Sequence, residues 1–166
     1  MELTKTSRIL SVFHLFRYCS EVSFREITDL LPVSEKTVSR DILLLRQAGV
    51  LHIRYSQKRK AFVLIDAQFH EPEFPENKTR KLYLEKIIRL CTLMVEMDGA
   101  NPVGWYREHY PALSDRTRQR DFAELLKIGY RIRYMPTDPW GEPGHYSYEI
   151  PDTYGLETFE RRSYGS

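Results

Sequence analysis

A sixteen-residue segment of this chain occurs twice, 80 positions apart. Residues 34–49 and 114–129 align without gaps and share six identities: Ser34/Ser114, Thr37/Thr117, Arg40/Arg120, Asp41/Asp121, Leu45/Leu125 and Gly49/Gly129. One shared serine or glycine would carry no weight. Six identities, with a helical pattern before each copy and two strand-like runs after it, indicate that one supersecondary unit is present twice. The fold must therefore be built from two related units.

The first copy of the unit is predicted to contain three helices and a hairpin. Apolar residues at helical spacing predict helices over residues 5–18, 24–31 and 34–48. Two strand-like runs, 50–55 and 61–65, follow and are separated by a polar segment. This order of elements is typical of a winged helix-turn-helix.

The second copy shows the same order. Helices are predicted over residues 82–97, 103–110 and 114–129, and strands over 130–135 and 145–150. Its third helix begins at a serine and ends at a glycine, as the third helix of the first copy does. The second copy therefore predicts a second winged helix.

We therefore expect a mostly α chain with small β-hairpin wings, an α+β fold made of two tandem winged helix-turn-helix domains. The first domain is expected at residues 1–66 and the second at residues 82–151. Residues 67–81 contain two prolines and lack apolar periodicity, which predicts a linker. Residues 152–166 are expected to form a loose tail.

The third helix of the first unit has one apolar face and one polar, basic face. At 100° per residue, Val38, Ile42 and Leu45 fall within about 60° of one another and predict the face that packs on the preceding helices. Five residues point away from it: Lys36, Ser39, Arg40, Leu43 and Gln47. Such a surface suits the major groove of DNA. Charged helix faces are more often simply solvated, but the Pro32-Val33 turn and the following hairpin favour DNA binding.

These residues also match the pattern of a known family. The matching positions are Ser34-x-x-Thr37-Val38-x-Arg40-Asp41-Ile42-x-x-Leu45-x-x-x-Gly49-Val50. They resemble the recognition helix of DeoR-like winged helix-turn-helix repressors, including those that precede WYL sensor domains in bacteria, over residues 5–65 and more weakly over 82–150. The resemblance implies that Thr37 and Arg40 touch DNA and that Asp41 bonds within the helix-turn-helix. Unlike those families, this sequence predicts no C-terminal sugar-phosphate or WYL effector domain.

The positive charge is concentrated in the N-terminal part of the chain. The whole sequence has 25 Lys and Arg against 23 Asp and Glu, a net charge of +2, whereas residues 1–66 carry 11 against 7, a net charge of +4. Lys58, Arg59 and Lys60 lie at the predicted turn of the first hairpin, residues 56–60. Hairpin turns are often basic for solubility alone, but these cations are also placed to enter a minor groove or to bind phosphates.

The second unit repeats the basic helix face but not the basic wing. Its candidate DNA-binding residues are Arg116, Thr117, Gln119, Arg120 and Lys127. Arg118 stands at the position of Val38, so either its stem passes the edge of the core or this helix docks differently. The second wing holds Asp138, Trp140 and Glu142 without any Lys or Arg, which suits contact with protein better than contact with phosphate.

The sequence predicts no catalytic, metal or cofactor site, and hence no enzyme. Cys19 and Cys91 lack CxxC spacing, the five histidines lack metal-ligand spacing, and neither a nucleophile elbow nor a Gly-rich phosphate loop occurs. No apolar run approaches the roughly 20 residues that a membrane-spanning helix needs. We therefore expect no membrane partner and a cytoplasmic, nucleoid-associated location.

The leading hypothesis is a bacterial or phage transcriptional regulator that binds double-stranded DNA through helix 34–48 and wing 56–60. Homodimerisation would make its site a palindrome, whereas a monomer that uses both units would read an asymmetric site. Two alternatives stay open. One is a tandem winged-helix module that binds protein, as in chromosome-partitioning complexes, with the second wing holding the partner. The other is a plasmid or phage replication initiator.

Overall fold

The computed structural model describes residues 3–96, 102–135, 139–141 and 145–149. Within these residues the chain is mostly helical, which confirms the expected α+β class. The elements are α1 (Lys5–Tyr18), β1 (Glu21–Val22), α2 (Phe24–Leu30), α3 (Glu35–Gln47), β2 (His52–Ser56), β3 (Ala61–Asp66), α4 (Lys78–Glu96), α5 (Pro102–His109), α6 (Asp115–Lys127), β4 (Arg131–Met135) and β5 (His145–Glu149). Three helices followed by a hairpin therefore occur twice in chain order.

Hydroxyl side chains begin four of the helices. Thr4, Ser23, Ser34 and Ser114 have extended backbones, and the side-chain oxygen of each accepts a hydrogen bond from the backbone N–H three residues later. Such caps satisfy an N–H group that has no partner within the helix. The caps of α3 and α6 are equivalent in the two copies, because the N–H groups of Thr37 and Thr117 each donate over 3.2 Å.

Gly49 lies just after α3 and is in contact with the segment that leads to the second copy. Its φ of +77° lies in the left-handed region, and an added Cβ would lie 2.2 Å from the His70 carbonyl oxygen. The backbone N–H of His70 donates to the backbone carbonyl of Gly49 over 2.8 Å. The backbone N–H of Glu73 donates to the backbone carbonyl of Gln47 over 2.9 Å. Residues 67–77, here called the strap, are therefore bound to the C-terminal end of α3 and allow only glycine at position 49 without a shift.

Two features of the first copy and its junction differ from the sequence prediction. The helix expected at residue 82 begins at Lys78, because the Asn77 side chain accepts a hydrogen bond from the N–H of Arg80 over 3.0 Å and so caps α4. The last four residues of the predicted linker are therefore helical. The strand β1 was missed because two residues are too few to show an alternating pattern. The predicted tail, residues 152–166, lies outside the described residues.

The hairpins form two separate sheets in the described part of the chain. In the first sheet the strand order is β1-β3-β2, and all neighbouring strands are antiparallel. Phe62 of the central strand β3 lies opposite Val22 of β1 on one side and opposite Tyr55 of β2 on the other. In the second sheet β4 pairs with β5, from Arg131 opposite Glu149 to Met135 opposite His145. The short strand β1 ties the connection between α1 and α2 to the first hairpin.

The same ion pair joins the first and third helices of each copy. Arg8 of α1 donates from Nε and Nη2 to the two carboxylate oxygens of Asp41 in α3, over 2.7 and 2.9 Å. Arg89 of α4 donates in the same way to Asp121 of α6, over 2.7 and 3.0 Å. The side chains of Asp41 and Asp121 are only 3% and 1% exposed. The third helix is therefore fixed to the first in the same manner in both copies.

Aromatic residues in α5 and just after it pack in the second copy. Trp105 and Tyr106 are buried and Tyr110 is half-buried. The hydroxyl of Tyr106 donates to Asp121 over 2.6 Å, and burial raises the pKa of Tyr106 well above its usual value. This hydroxyl is therefore a permanent donor to the buried carboxylate.

One continuous hydrophobic core spans both copies, and α1 belongs to both. On one side α1 packs against α3. On the other its hydroxyls at Thr4 and Ser7 donate to the Glu124 carboxylate of α6 over 2.7 and 2.6 Å. Near its C-terminal end, Arg17 donates to the carbonyl of Met94 over 2.9 Å and to the hydroxyl of Tyr130 over 3.1 Å. The two copies are therefore packed together through buried and half-buried contacts.

Candidate nucleic-acid interface

The helix α3 has the two faces that its sequence predicts. Val38, Ile42 and Leu45 are buried, at no more than 4% exposure. On the opposite side the predicted groove-facing residues Lys36, Ser39, Arg40 and Leu43 are exposed. Leu43 is 64% exposed. The cationic face is therefore open with respect to the strap and to the described residues of the second copy.

Two other predicted residues of this helix are less available. Thr37 is half-buried, and its hydroxyl lies 3.2 Å from that of Ser34 in the helix cap. Gln47 is half-buried, and its carbonyl accepts from the N–H of Glu73 in the strap. Both are thus at the edges of the exposed face, whereas Lys36, Ser39 and Arg40 lie within it.

Asp41 has a structural role that the resemblance implied and the geometry makes specific. Its carboxylate is buried and receives both donors of Arg8, and the hydrogen bond to Asp41 raises the pKa of Arg8. A bidentate pair of this kind fixes both distance and rotation between two helices. The pair therefore sets which side of α3 faces outward.

The first hairpin carries its three cations at the turn between β2 and β3. Lys58, Arg59 and Lys60 are exposed. Arg59 forms an ion pair with Glu21 of β1 over 2.9 Å, and both side chains are partly exposed. Lys60 has a φ of +53°, which gives the turn a left-handed residue. Lys58 and Lys60 therefore extend from a turn whose position Arg59 helps to hold.

The helix α6 presents a similar face. Arg116, Gln119 and Arg120 are exposed, whereas Thr117 is half-buried in a cap like that of Thr37. Lys127 is also half-buried, and its Nζ lies 3.9 Å from Glu124, the acid that bonds to α1. Lys127 therefore lies at the C-terminal end of the helix side that carries Arg116 and Arg120, next to the acid that bonds to α1.

The side chain of Arg118 passes the edge of the core, which is one of the two alternatives that the sequence left open. Its side chain is 13% exposed, and its Nη1 lies 3.1 Å from the Asp115 carboxylate at the surface. The stem runs over α5, where Arg118 lines a small cavity of about 230 Å³ with Tyr106 and Tyr110. Within the described residues its Nε is buried without a hydrogen-bond partner. The bidentate pair between Arg89 and Asp121 nonetheless joins α6 to its first helix, as Arg8 and Asp41 join α1 and α3.

The second hairpin is described only in part. Trp140 at its tip is 91% exposed, the most exposed large apolar side chain in the described chain. Asp138 and Glu142, the acidic residues predicted for this wing, lie outside the described residues. An exposed tryptophan is a frequent anchor at protein interfaces.

The positioning residues Arg8 and Arg89 were missed from the sequence. They are 81 positions apart, whereas the third helices repeat at 80, so an alignment with a fixed offset places them out of register. Glu124 was missed because the equivalent position in the first copy is Leu44. An alignment of the two copies that extends to their first helices and allows a one-residue gap would have paired the two arginines.

Comparison of the chain with models of protein families, with curated proteins and with solved structures found no match. In the described ranges no three His, Cys, Asp or Glu side chains are grouped so that they could hold a metal ion. Among the described helices none has the length and apolar character needed to cross a membrane.

Proposed function

We propose that this protein is a sequence-specific double-stranded DNA-binding transcriptional regulator. In this proposal residues 1–66 and 82–151 each form a winged helix-turn-helix, with α3 and α6 as recognition helices and the hairpins as wings. The relation to DeoR-like regulators is part of the same proposal. It would place the protein at the bacterial nucleoid.

The exposed cationic face of α3 is the observation that carries the proposal. Lys36 and Arg40 are one turn apart on this face, with Ser39 between them and Leu43 one turn further. Arginine and lysine recognise guanine, small hydroxyls bind phosphate or base edges, and an apolar side chain contacts the thymine methyl. Exposed leucine on a cationic face has no role in solubility, but it has one in reading thymine. The face thus combines phosphate binding with base readout.

The first hairpin supports the proposal. Lys58 and Lys60 are exposed at the turn. In a winged helix the turn lies beside the recognition helix, where cations meet the phosphate backbone or the minor groove. The contrast with the second wing indicates that the first unit makes the stronger phosphate contacts.

A double substitution in α3 tests the proposal. Lys36→Ala with Arg40→Ala should weaken binding to DNA selected from a random pool by about tenfold or more, measured by fluorescence anisotropy. The matched control, Arg107→Ala with Arg131→Ala, removes the same charge from exposed positions on α5 and β4. Circular dichroism verifies that both variants are folded. Equal affinities of the two folded variants for the selected DNA would refute the proposal.

The exposed Trp140 supports a second candidate, in which the second wing binds a protein partner. The 91% exposure of this side chain gives such a partner a large apolar anchor. If this candidate is right, Trp140→Ala removes co-purification of a defined partner and leaves DNA affinity unchanged. Retention of the partner by the variant would contradict it.

A further inference from the structure

A cavity of about 160 Å³ lies between the strap, α1 and the end of α4. Its aromatic walls come from three phenylalanines: Phe13 and Phe16 of α1 and Phe69 of the strap. The rings of Phe13 and Phe69 meet edge to face, with their centroids 6.1 Å apart. Aliphatic side chains from the residues after α3, from β3 and from α4 add to the apolar lining. Both copies and the strap therefore contribute to one apolar site.

The size of the cavity restricts the ligand that it can hold. An apolar cavity of roughly 150 Å³ holds benzene. Pockets for larger, drug-sized ligands are typically roughly 300–1,000 Å³. The cavity in this chain, at about 160 Å³, therefore suits one six-membered ring with a small substituent.

Two side chains of the lining are partly exposed although they are large and apolar. Phe69 is 39% exposed and Val95 is 42% exposed. Isolated apolar side chains are common on protein surfaces, but these two line the same cavity. An apolar ligand would remove part of their surface from water, which is favourable. The lining therefore favours a ligand with an apolar body.

Arg17 adds a cationic group to the apolar lining. The residue is half-buried, and its bonds to the carbonyl of Met94 and the hydroxyl of Tyr130 both start at Nη1. A guanidinium also has N–H groups on Nε and Nη2, and within the described part of the chain these two nitrogens make no hydrogen bond. Two parallel N–H groups of this kind match the two oxygens of a carboxylate. Arg17 therefore favours an anionic group on the ligand.

Asp66 also lines the cavity but is already bonded to the strap. Its Oδ1 accepts from the backbone N–H of Gln68 over 2.6 Å, and its Oδ2 accepts from Nε2 of His70 over 3.0 Å. The bonds from Gln68 and His70 lower the pKa of Asp66 from its usual value. A cationic ligand would have to compete with the strap for these oxygens, whereas an anionic ligand finds donors on Arg17. The polar groups of the cavity therefore favour an anion over a cation.

From these features we infer that the cavity binds a small aromatic carboxylate, with the ring against the phenylalanines and the carboxylate on Arg17. Benzoate is the simplest compound of this class. The apolar walls and the guanidinium each contribute to affinity, so a ligand that lacks either the ring or the charge should bind more weakly. A bound ligand would touch the strap and both copies at once.

Binding of three small compounds to the full chain tests the chemistry of the site. Isothermal titration calorimetry should show that benzoate binds at millimolar concentration or below. Benzyl alcohol, which lacks the charge, and acetate, which lacks the ring, should each bind about tenfold or more weakly. If benzoate does not bind at millimolar concentration, or if either of the other compounds binds as tightly, the inference is overturned.

A matched pair of tryptophan variants tests the location of the site. Ala67→Trp places a large side chain at an exposed strap position that lines the cavity, and Ala112→Trp does so at an exposed position before α6. The first variant should bind benzoate about tenfold or more weakly, because the indole takes up space in the cavity. The second should bind it as the unaltered chain does. Circular dichroism verifies that both variants are folded, and equal affinities of the two would refute the assignment.

Methyl NMR of the unaltered chain locates the ligand without a substitution. Benzoate should shift the methyl resonances of Val50, Leu64 and Val95, which line the cavity, and leave those of Leu43 on the cationic face of α3 in place. The largest shifts at Leu43 would mean that benzoate binds the cationic helix face instead, and the inference would be wrong.

None of these measurements involves DNA. A chain that selects a DNA sequence but does not bind benzoate keeps the proposed function and lacks the ligand site. A chain that binds benzoate in the cavity but selects no DNA sequence keeps the ligand site and lacks the proposed function.

Discussion

His14 and Tyr130 meet 2.7 Å apart in the buried interior, where α1 of the first copy packs against the residues that follow α6. Arg17 donates to the same tyrosine oxygen over 3.1 Å, so this hydroxyl contacts both an imidazole and a guanidinium. Burial raises the pKa of Tyr130 well above its usual value. The junction between the copies thus contains a specific polar contact as well as apolar packing.

Removal of that hydroxyl should destabilise the whole chain. Tyr130→Phe takes away one hydrogen-bond partner of a buried imidazole and one of the Arg17 guanidinium, so we expect the free energy of unfolding to fall by about 1–3 kcal/mol. Urea unfolding followed by circular dichroism measures it. Tyr55→Phe, at a 39% exposed position on β2, is the control. Equal stability of the two variants would show that the contact contributes nothing.

The two equivalent ion pairs should differ in strength. Asp121→Asn leaves the buried Arg89 without its counter-charge and should cost about 3–5 kcal/mol. Asp41→Asn should cost less, because the side chain of Arg8 is 22% exposed and water can solvate it. Thermal unfolding gives the order, with the exposed Asp29→Asn as control. A larger loss for Asp41→Asn than for Asp121→Asn would contradict this reasoning.

Alanine substitutions at two glycines can distinguish the cost of backbone strain from the cost of a clash with the strap. Gly49 and Gly141 both have positive φ, +77° and +90°, but an added Cβ at Gly49 meets the His70 carbonyl, whereas at Gly141 it meets nothing within 4 Å. Gly141→Ala should cost only the strain, about 1–2 kcal/mol. Gly49→Ala should cost more, and hydrogen exchange at the His70 amide should speed up. Similar losses at both positions would mean that the strap shifts freely.

The Glu124 carboxylate should make the free energy of unfolding depend on pH. Burial acts to raise its pKa, but hydrogen bonds from Ser7 and Thr4 outweigh burial, and the net shift is downward from 4.5. A carboxyl with a depressed pKa stabilises the fold above its unfolded pKa, and the contribution is lost as pH falls through the folded value. The stability difference between the unaltered chain and Glu124→Gln should therefore be largest near neutral pH and shrink below about pH 4.5.

Denaturant unfolding at a series of pH values measures that difference. Glu108→Gln, on the exposed side of α5, controls for the loss of one negative charge. A difference that stays constant from pH 7 to pH 3 would contradict the assignment of this carboxylate.

Cations of the first wing should govern the salt dependence of DNA binding. Lys58→Ala with Lys60→Ala should reduce the slope of log affinity against log salt by about 2, if each lysine neutralises one phosphate. Arg59→Ala should have a smaller effect, since its guanidinium is already paired with Glu21. Titrations at several salt concentrations give the slopes. An unchanged slope in the lysine variant would remove the wing from the interface.

The helices and the burial of α3 could be predicted because they depend on local signals. Capping serines, the periodicity of Val38, Ile42 and Leu45, and the glycines at 49 and 129 all act within a few residues. The start of α4 was misjudged, because Asn77 caps a first turn that has no apolar residue to mark it.

What could not be predicted is how the copies meet. The bonds from Thr4 and Ser7 to Glu124 join residues more than 115 positions apart and have no counterpart in the first copy. Arg118 seemed out of place in a core position, because sequence alone does not show that its stem can reach the surface beside Asp115. Such contacts depend on tertiary packing, which no periodic pattern reports.

The dual packing of α1 has an evolutionary consequence. Because one continuous core spans both halves, each half relies on apolar surface supplied by the other. A fragment that ends at residue 66 would lack Tyr130 and Met94, which bond to His14 and Arg17, and would open its part of the shared core to water. Natural recombination could therefore exchange the pair as a block, but not shuffle its halves one at a time.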